Sequence, residues 1–218
     1  MRSRISELEL RRVRYQIFTG DLRHHFSFQY WKNHWPQLVE GLNSSIDDQE
    51  FLRQDKATVL TLDQNVIGIH LLSEYDFSQF DKYDYFKDFP APAIAKLQEL
   101  GLKRVQALQY FMIDEKYSVA NTLVNFGAII GGLSLNHQTE SKLSASLTIA
   151  RTDIPVANLA KKHGFEELAT ATLHNVSVAF MVCLKPKPNP KEEIARWTDY
   201  YWARREKIHV GSSNRKVA

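Results

Sequence analysis

Chemistry-bearing residues are few in this 218-residue chain, and most stand alone. The single cysteine, Cys183, lies inside VAFMVCL, where a buried strand makes it a structural thiol rather than a nucleophile. One cysteine also excludes an internal disulfide and a cysteine-rich metal site. His24 and His25 are adjacent, so helical geometry aims them apart, and His70 and His174 fall in strand-like runs. No H-x-x-x-H or comparable ligand spacing occurs, so no metal is expected. Neither a nucleophile elbow nor a Walker loop is present. What remains is a pair of acids, Asp114 and Glu115, closing the apolar run YFMI, with Tyr117 and Ser118 just beyond and Gln106 and Gln109 within the same strand-like run. A solvated turn after a strand, with ordinary sheet glutamines, is one account of these residues. Orienting and deprotonating a substrate is the other.

A second stretch, RTDIPVANLAKKHGF (residues 151–165), reads as a short helix entering a strand. Asp153 can cap the helix start, Pro155 is tolerated in a first turn, and Lys161, Lys162 and His163 suit the negative end of the helix dipole. Gly164 suits the left-handed position just past the helix end.

The elements that must position these residues follow from periodicity. RRVRYQIF reads as a first strand. In HHFSFQYWKNHWPQLVEGL, Trp31, Trp35, Leu38 and Leu42 recur at helical spacing, with Pro36 expected to break or kink the helix or to begin a second one. QEFLRQD is a short helix. ATVLTLDQNVIGIHLL reads as a hairpin turning at Asp63–Asn65, and Gly68 marks a bulge or a close backbone approach. The aromatic run from Tyr75 to Phe89 reads as an excursion packed on its own side chains, with a lid or apolar tunnel against the Trp31–Trp35 helix as the sharper alternative. PAIAKLQEL is helical and ends at Gly101. KRVQALQYFMI is a long strand, SVANTLVNFGAIIGGLSLNHQ a buried helix with Ser118 as its cap, and KLSASLTIA a strand. One or two strands close the sheet in LATATLHNVSVAFMVCL. KPKPNP breaks the chain, and KEEIARWTDYYWARREKI is a helix with Ile194, Trp197, Tyr201 and Ile208 on one stripe. The order predicts an α/β (α+β) chain around a mixed central sheet. It divides into a main domain over 1–184 and a Pro-broken linker with a C-terminal helix over 185–218.

With 44% hydrophobic and 24% charged residues the chain can bury a sizeable core. Its net charge of +3 is not that of a dedicated nucleic-acid binder. No apolar run reaches the ~20 residues of a membrane span, and MRSRISELELRRVR lacks the apolar core of a secretory signal, so a cytoplasmic protein is expected. Basic residues crowd both ends: Arg2, Arg4, Arg11, Arg12 and Arg14 at one, and Lys185, Lys187, Lys191, Arg204, Arg205, Arg215 and Lys216 at the other. A solvated surface is the default reading. If the ends meet, they form a basic face suited to an acidic partner.

The element order, the hairpin TLDQNVIGIHLL, the strand end FMIDEKY and the closing Gly164–Phe165 together resemble the GNAT superfamily of N-acyltransferases over about Arg12 to Leu184. The resemblance implies a GNAT-like sheet with a C-terminal helical extension and transfer of an acyl group from a thioester to an amine, possibly an amino acid. It also implies a splayed strand edge at Phe111, Met112 and Ile113 that pairs with the donor's pantetheine arm, and a carboxylate, Asp114 or Glu115, that takes the amine proton. A donor loop would fall at Ser118, Val119, Ala120, Asn121, Thr122 and Leu123, and Asp153 would stand where the family often has Asn. No tightly bound cofactor is implied. The co-substrate is an acyl-CoA or an acylated carrier protein. The family loop Q/R-x-x-G-x-G/A is not kept: Asn121 and Leu123 replace its glycines, and the frequent Tyr proton donor falls at Ala160. The loss of the glycines favours a carrier-protein donor, as in autoinducer synthases and N-acyl amino acid synthases. Ordinary coenzyme A use with a divergent loop, and a non-catalytic binding or interaction module on the same fold, are the alternatives.

Overall fold

The computed structural model describes residues 5–38 and 47–211. Leu42 of the apolar stripe, and Arg2, Arg4, Arg215 and Lys216 of the basic ends, lie outside them. The strands are β1 (Val13–Gly20), β2 (Lys56–Leu62), β3 (Asn65–Asp76), β4 (Arg104–Ile113), β5 (Ala145–Arg151), β6 (Glu166–Leu173), β7 (Val176–Cys183) and β8 (Glu206–Val210). The helices are α1 (Glu7–Arg12), α2 (Phe26–Leu38), α3 (Asp48–Leu52), α4 (Ala91–Glu99), α5 (Phe126–Glu140), α6 (Val156–Lys162) and α7 (Glu192–Ala203). All eight strands form one mixed sheet in the order β6-β7-β5-β4-β3-β2-β1-β8. Neighbours are antiparallel except β4–β5 and β1–β8, which are parallel.

α5 is apolar on nearly every side because it lies between the sheet and α7. Two of its glycines make that sandwich possible. A Cβ on Gly132 would stand 3.0 Å from Thr198 Cγ2 of α7, and one on Gly131 would stand 3.2 Å from the His163 ring. On the opposite face, α2 and α3 bury Phe28, Trp31 and Phe51 against Val59, Ile69 and Met112. Pro36 sits in the last turn of α2 without ending it.

The aromatic excursion forms two 3-10 turns, Phe77–Lys82 and Asp84–Asp88. Phe77, Tyr85, Phe86 and Phe89 are buried with Ala93 and Leu97 of α4, and the Phe89 ring meets Phe180 of β7 at 4.8 Å between centroids. Trp31 belongs to a different core cluster. The excursion is therefore packing, and an apolar tunnel between it and the Trp31–Trp35 helix is not the arrangement found.

Several local expectations are corrected. Ser118 does not open a helix: α5 begins at Phe126, and Asn125 is its cap, accepting from Ala128 N at 3.0 Å. Asp153 does not cap α6. Pro155 holds that position, and the Asp153 carboxylate instead accepts two bonds from Arg151, at 3.0 and 2.6 Å. Two charged groups facing each other across a tight turn outcompete a cap that would need the helix to begin earlier. His174 lies not in a strand but with Asn175 in the β6–β7 turn, both with positive φ. Ile208 is not on the α7 stripe but in β8, which joins the main sheet beside β1.

Candidate active site

The site is built by a defect in β4. Ile69 pairs with Met112 and Leu71 with Gln109, so Tyr110 and Phe111 together face the single residue His70. This bulge puts Tyr110 at φ 52°, a left-handed conformation uncommon for an aromatic residue. On its other edge β4 pairs with β5 only from Val105 to Leu108, opposite Ala145 to Thr148. Thr148 Oγ1 donates to Leu108 O at 3.0 Å beside the last rung. Beyond it β5 follows β7 as far as Arg151, while β4 stays with β3. The parallel pair therefore opens into a V between Gln109–Ile113 and Ile149–Arg151.

Gly68 holds the inner arm of the V in place. A Cβ there would lie 2.6 Å from Met112 O and 2.7 Å from Ile113 Cδ1, so β3 and β4 approach as only glycine permits. The first turn of α5 stands beside the opening: a Cβ on Gly127 would be 3.5 Å from Phe111 Cζ and 3.7 Å from Leu159 Cδ2 of α6.

The bulged edge presents alternate faces. Phe111 and Ile113 pack toward α5, whereas Met112 and Tyr110 face α2 and α3. The Tyr110 ring meets Trp35 edge-on at 5.1 Å, and its hydroxyl donates to Glu50. Burial, and then Glu50, push that phenol well above its usual range. Asp114 follows directly: its N–H donates to Ile67 O at 2.9 Å, one carboxylate oxygen accepts from Lys116 N at 3.0 Å, and the other accepts from Tyr30 Oη at 3.2 Å. Glu115 is exposed, and its carbonyl accepts from the Asn121 amide at 2.9 Å.

Phe111, Met112, Ile113 and Asp114 are thus gathered on one arm of the V. Asp153 lies just past the other arm, its carboxyl held below the usual range by Arg151. Ser118, Val119, Ala120, Asn121 and Thr122 form a turn ahead of the helix. Thr122 is buried, with Oγ1 donating to Val124 O at 2.9 Å, while Val119 and Leu123 expose apolar side chains. Three amides at the head of α5 are already paired within the chain: Phe126 N with Val124 O, Ala128 N with Asn125 Oδ1, and Ile129 N with Asn125 O.

Sequence reasoning missed Tyr30, Glu50, Tyr110 and Asn125. Only Asn125, a polar residue ahead of an apolar run, carried a local signal. Gln106 is not a substrate contact: it is buried and bonds Ser134 O and Ser146 Oγ. Tyr117 is core packing against Phe126. Beneath the bulge, His70 is buried against Phe111 and shares a 2.7 Å hydrogen bond with Ser134 Oγ, and burial pushes its pKa down to about 3. Cys183 is buried and its thiol is pushed up to about 12 by burial, which leaves it inert. Among the described residues, no three His, Cys, Asp or Glu side chains could hold a metal ion. Nor is any helix among them long and apolar enough to cross a membrane.

A mixed sheet with a bulged central strand, a parallel neighbour that splays away and a helix starting at the opening is the GNAT fold. Solved structures agree. FeeM, an N-acyl amino acid synthase from uncultured soil microbes, matches with a TM-score of 0.59 at 14% identity, over 79% of this chain and 91% of its own. Drosophila melanogaster polyamine N-acetyltransferase matches at 0.58 and 9% identity, over 78% and 100%. BjaI, a CoA-dependent acyl-homoserine lactone synthase, matches at 0.56 and 10% identity, over 93% and 95%. No protein-family model and no curated protein matches the chain by sequence.

Proposed function

We propose that this protein is an N-acyltransferase that moves an acyl group from a thioester to an amine. The observation that carries the reading is the V between β4 and β5. Strand edges that part company leave backbone N–H groups unpaired, and an extended pantetheine arm can take the place of the missing strand. An N–H on the Phe111–Ile113 edge then polarises the thioester carbonyl as the amine attacks. Asp114, at the end of that edge, accepts the amine proton, and as the C–S bond breaks the proton passes to the leaving thiolate. Tyr30 holds Asp114 by one oxygen and so fixes its orientation. Glu115, exposed and pointing to solvent through its turn, is the weaker candidate.

For the donor we favour an acylated carrier protein over free coenzyme A. The amides at the head of α5 that could grip a diphosphate are largely committed to Val124 and Asn125. Exposed Val119 and Leu123 occupy the turn before them, where an anion gains nothing. The same commitments support a second reading, a GNAT fold that binds but does not catalyse. Acyl transfer from octanoyl carrier protein and from octanoyl-CoA to a panel of amino acids and polyamines, followed by mass spectrometry, tests all three. Carrier-dependent product supports the favoured reading. Product from the CoA thioester alone reverses the donor preference, and no product from either supports the non-catalytic one.

A further inference from the structure

Part of each basic end meets the other, three arginines of the first and one of the second. Arg11 and Arg12 at the end of α1, Arg14 in β1 and Arg204 just after α7 line a concave groove of about 690 Å³ with Asp63, Gln64 and Glu206, over a floor that includes Tyr15 and Tyr201. Two of the guanidiniums are committed: Arg12 to Asp63 at 3.1 Å, and Arg11 to Glu7 at 2.9 Å. Two are available. Arg14 is 67% exposed, and its one carboxylate neighbour, Glu206, is 3.9 Å away and accepts from Gln16 at 2.8 Å. Arg204 lies over the Tyr200 ring at 5.2 Å and has no carboxylate partner among the described residues. Helix dipoles account for cations at Arg11, Arg12 and Arg204. They do not account for Arg14, which is on a strand, nor for four guanidiniums from three segments lining one cavity.

We propose that this groove binds a small diphosphate-bearing molecule. Guanidinium forks match phosphate oxygens in pairs, and those of Arg14 and Arg204 are the two open to take them. The volume falls in the range of small-molecule sites and exceeds what an inorganic ion fills. Concavity favours a small ligand over the face of an acidic protein. The groove runs from β1 to the β2–β3 turn, whereas the V opens on the other side of β4, toward β5. A ligand here therefore leaves the donor edge open, and the proposal stands whether or not the V catalyses acyl transfer.

Inorganic pyrophosphate is the first probe, by calorimetry and thermal shift on the full chain at fixed ionic strength. Binding is expected, and Arg14→Gln with Arg204→Gln should weaken it at least about tenfold. ADP and coenzyme A form further arms: the double substitution should weaken ADP in parallel with pyrophosphate, while any coenzyme A bound at the V stays. Should the double variant fold poorly, arginine Nε–H signals of the parent chain provide the second readout, with those of Arg14 and Arg204 shifting on titration. No pyrophosphate binding, equal binding by the variant, or shifts confined to other arginines each overturn the proposal. Binding of an acidic carrier protein that needs Arg14 and Arg204, without pyrophosphate binding, overturns it in favour of a protein-docking groove.

Discussion

Mild acid should unfold this protein through its buried imidazoles. His70 and His137 are both buried, each hydrogen-bonded to a hydroxyl, Ser134 Oγ at 2.7 Å and Tyr15 Oη at 2.8 Å. Burial pushes each pKa down to about 3. The folded pKa lies below the unfolded one, so the stabilisation is complete above about pH 6.5 and drains away as pH falls toward about 3. Between about pH 7 and about pH 5 each site loses about 2 kcal/mol, from about 1.4 kcal/mol per pH unit below the unfolded-state pKa, or about 4 kcal/mol for both. His163, also buried and shifted down by burial, acts in the same direction. Carboxylates with lowered pKa, such as Glu140 beside Lys207 and Arg205, begin to lose their stabilisation only as pH falls into the ordinary carboxylate range, at the foot of this window, so most of the loss above about pH 5 belongs to the imidazoles. Urea unfolding followed by tryptophan fluorescence at both pH values measures the loss. In His137→Gln, whose amide can still bond the Tyr15 hydroxyl, about 2 kcal/mol of the acid sensitivity should vanish. Stability that is flat across the window, or a variant that loses as much as the parent, would refute the reasoning.

Three further outcomes are expected. Gly68→Ala should destabilise by about 1–3 kcal/mol, because the new Cβ meets a backbone carbonyl that cannot swing aside, and a denaturation midpoint unchanged from the parent would remove Gly68 as the clamp on the V. Asp114→Asn should lower kcat for acyl transfer by about 10²-fold with little change in unfolding midpoint, while Glu115→Gln leaves kcat near the parent value; the reverse ranking would exchange their roles. Phe86→Ala should cost about 3–5 kcal/mol in urea unfolding yet leave the preference among acetyl, octanoyl and palmitoyl thioesters intact, and a selective loss of long-chain turnover would restore the tunnel.

The sheet was legible wherever a strand carried its own pattern. The hairpin at Asp63–Asn65, the long run to Ile113 and the glycine close approach at Gly68 were all read from periodicity and residue type. α1 went unread although Ser6 and Glu9 spell its capping box, because the arginines that follow read as the start of a strand. β8 went unread because EKIHV continues the α7 stripe at helical spacing, and only the free edge of β1 makes it a strand. The site was half legible. The candidate edge Phe111 to Ile113 and Asp114 came from the likeness of FMIDEKY to the family's strand end, and the V lies beside them. Tyr110 did not, since a bulge depends on how two strands slip past each other and no residue type at YFM announces it. Tyr30 and Glu50 belong to elements distant in sequence that reach β4 only when the sheet is covered. The start of the buried helix was placed too early, at Ser118, a good cap residue by type, while the actual cap is Asn125.

The pairing of β1 with β8 ties the assembly of the molecule to its synthesis. The Gln16 side-chain amide donates to Glu206 at 2.8 Å across 190 residues of chain, and Tyr201 donates to Leu10 O. A nascent chain that has just made β1 to β7 exposes the β1 edge and the outer face of α5, both of which later elements cover. Native structure at the beginning of the chain must therefore wait until β8 has been made. Until β8 pairs with it, the bare β1 edge is a template for another strand.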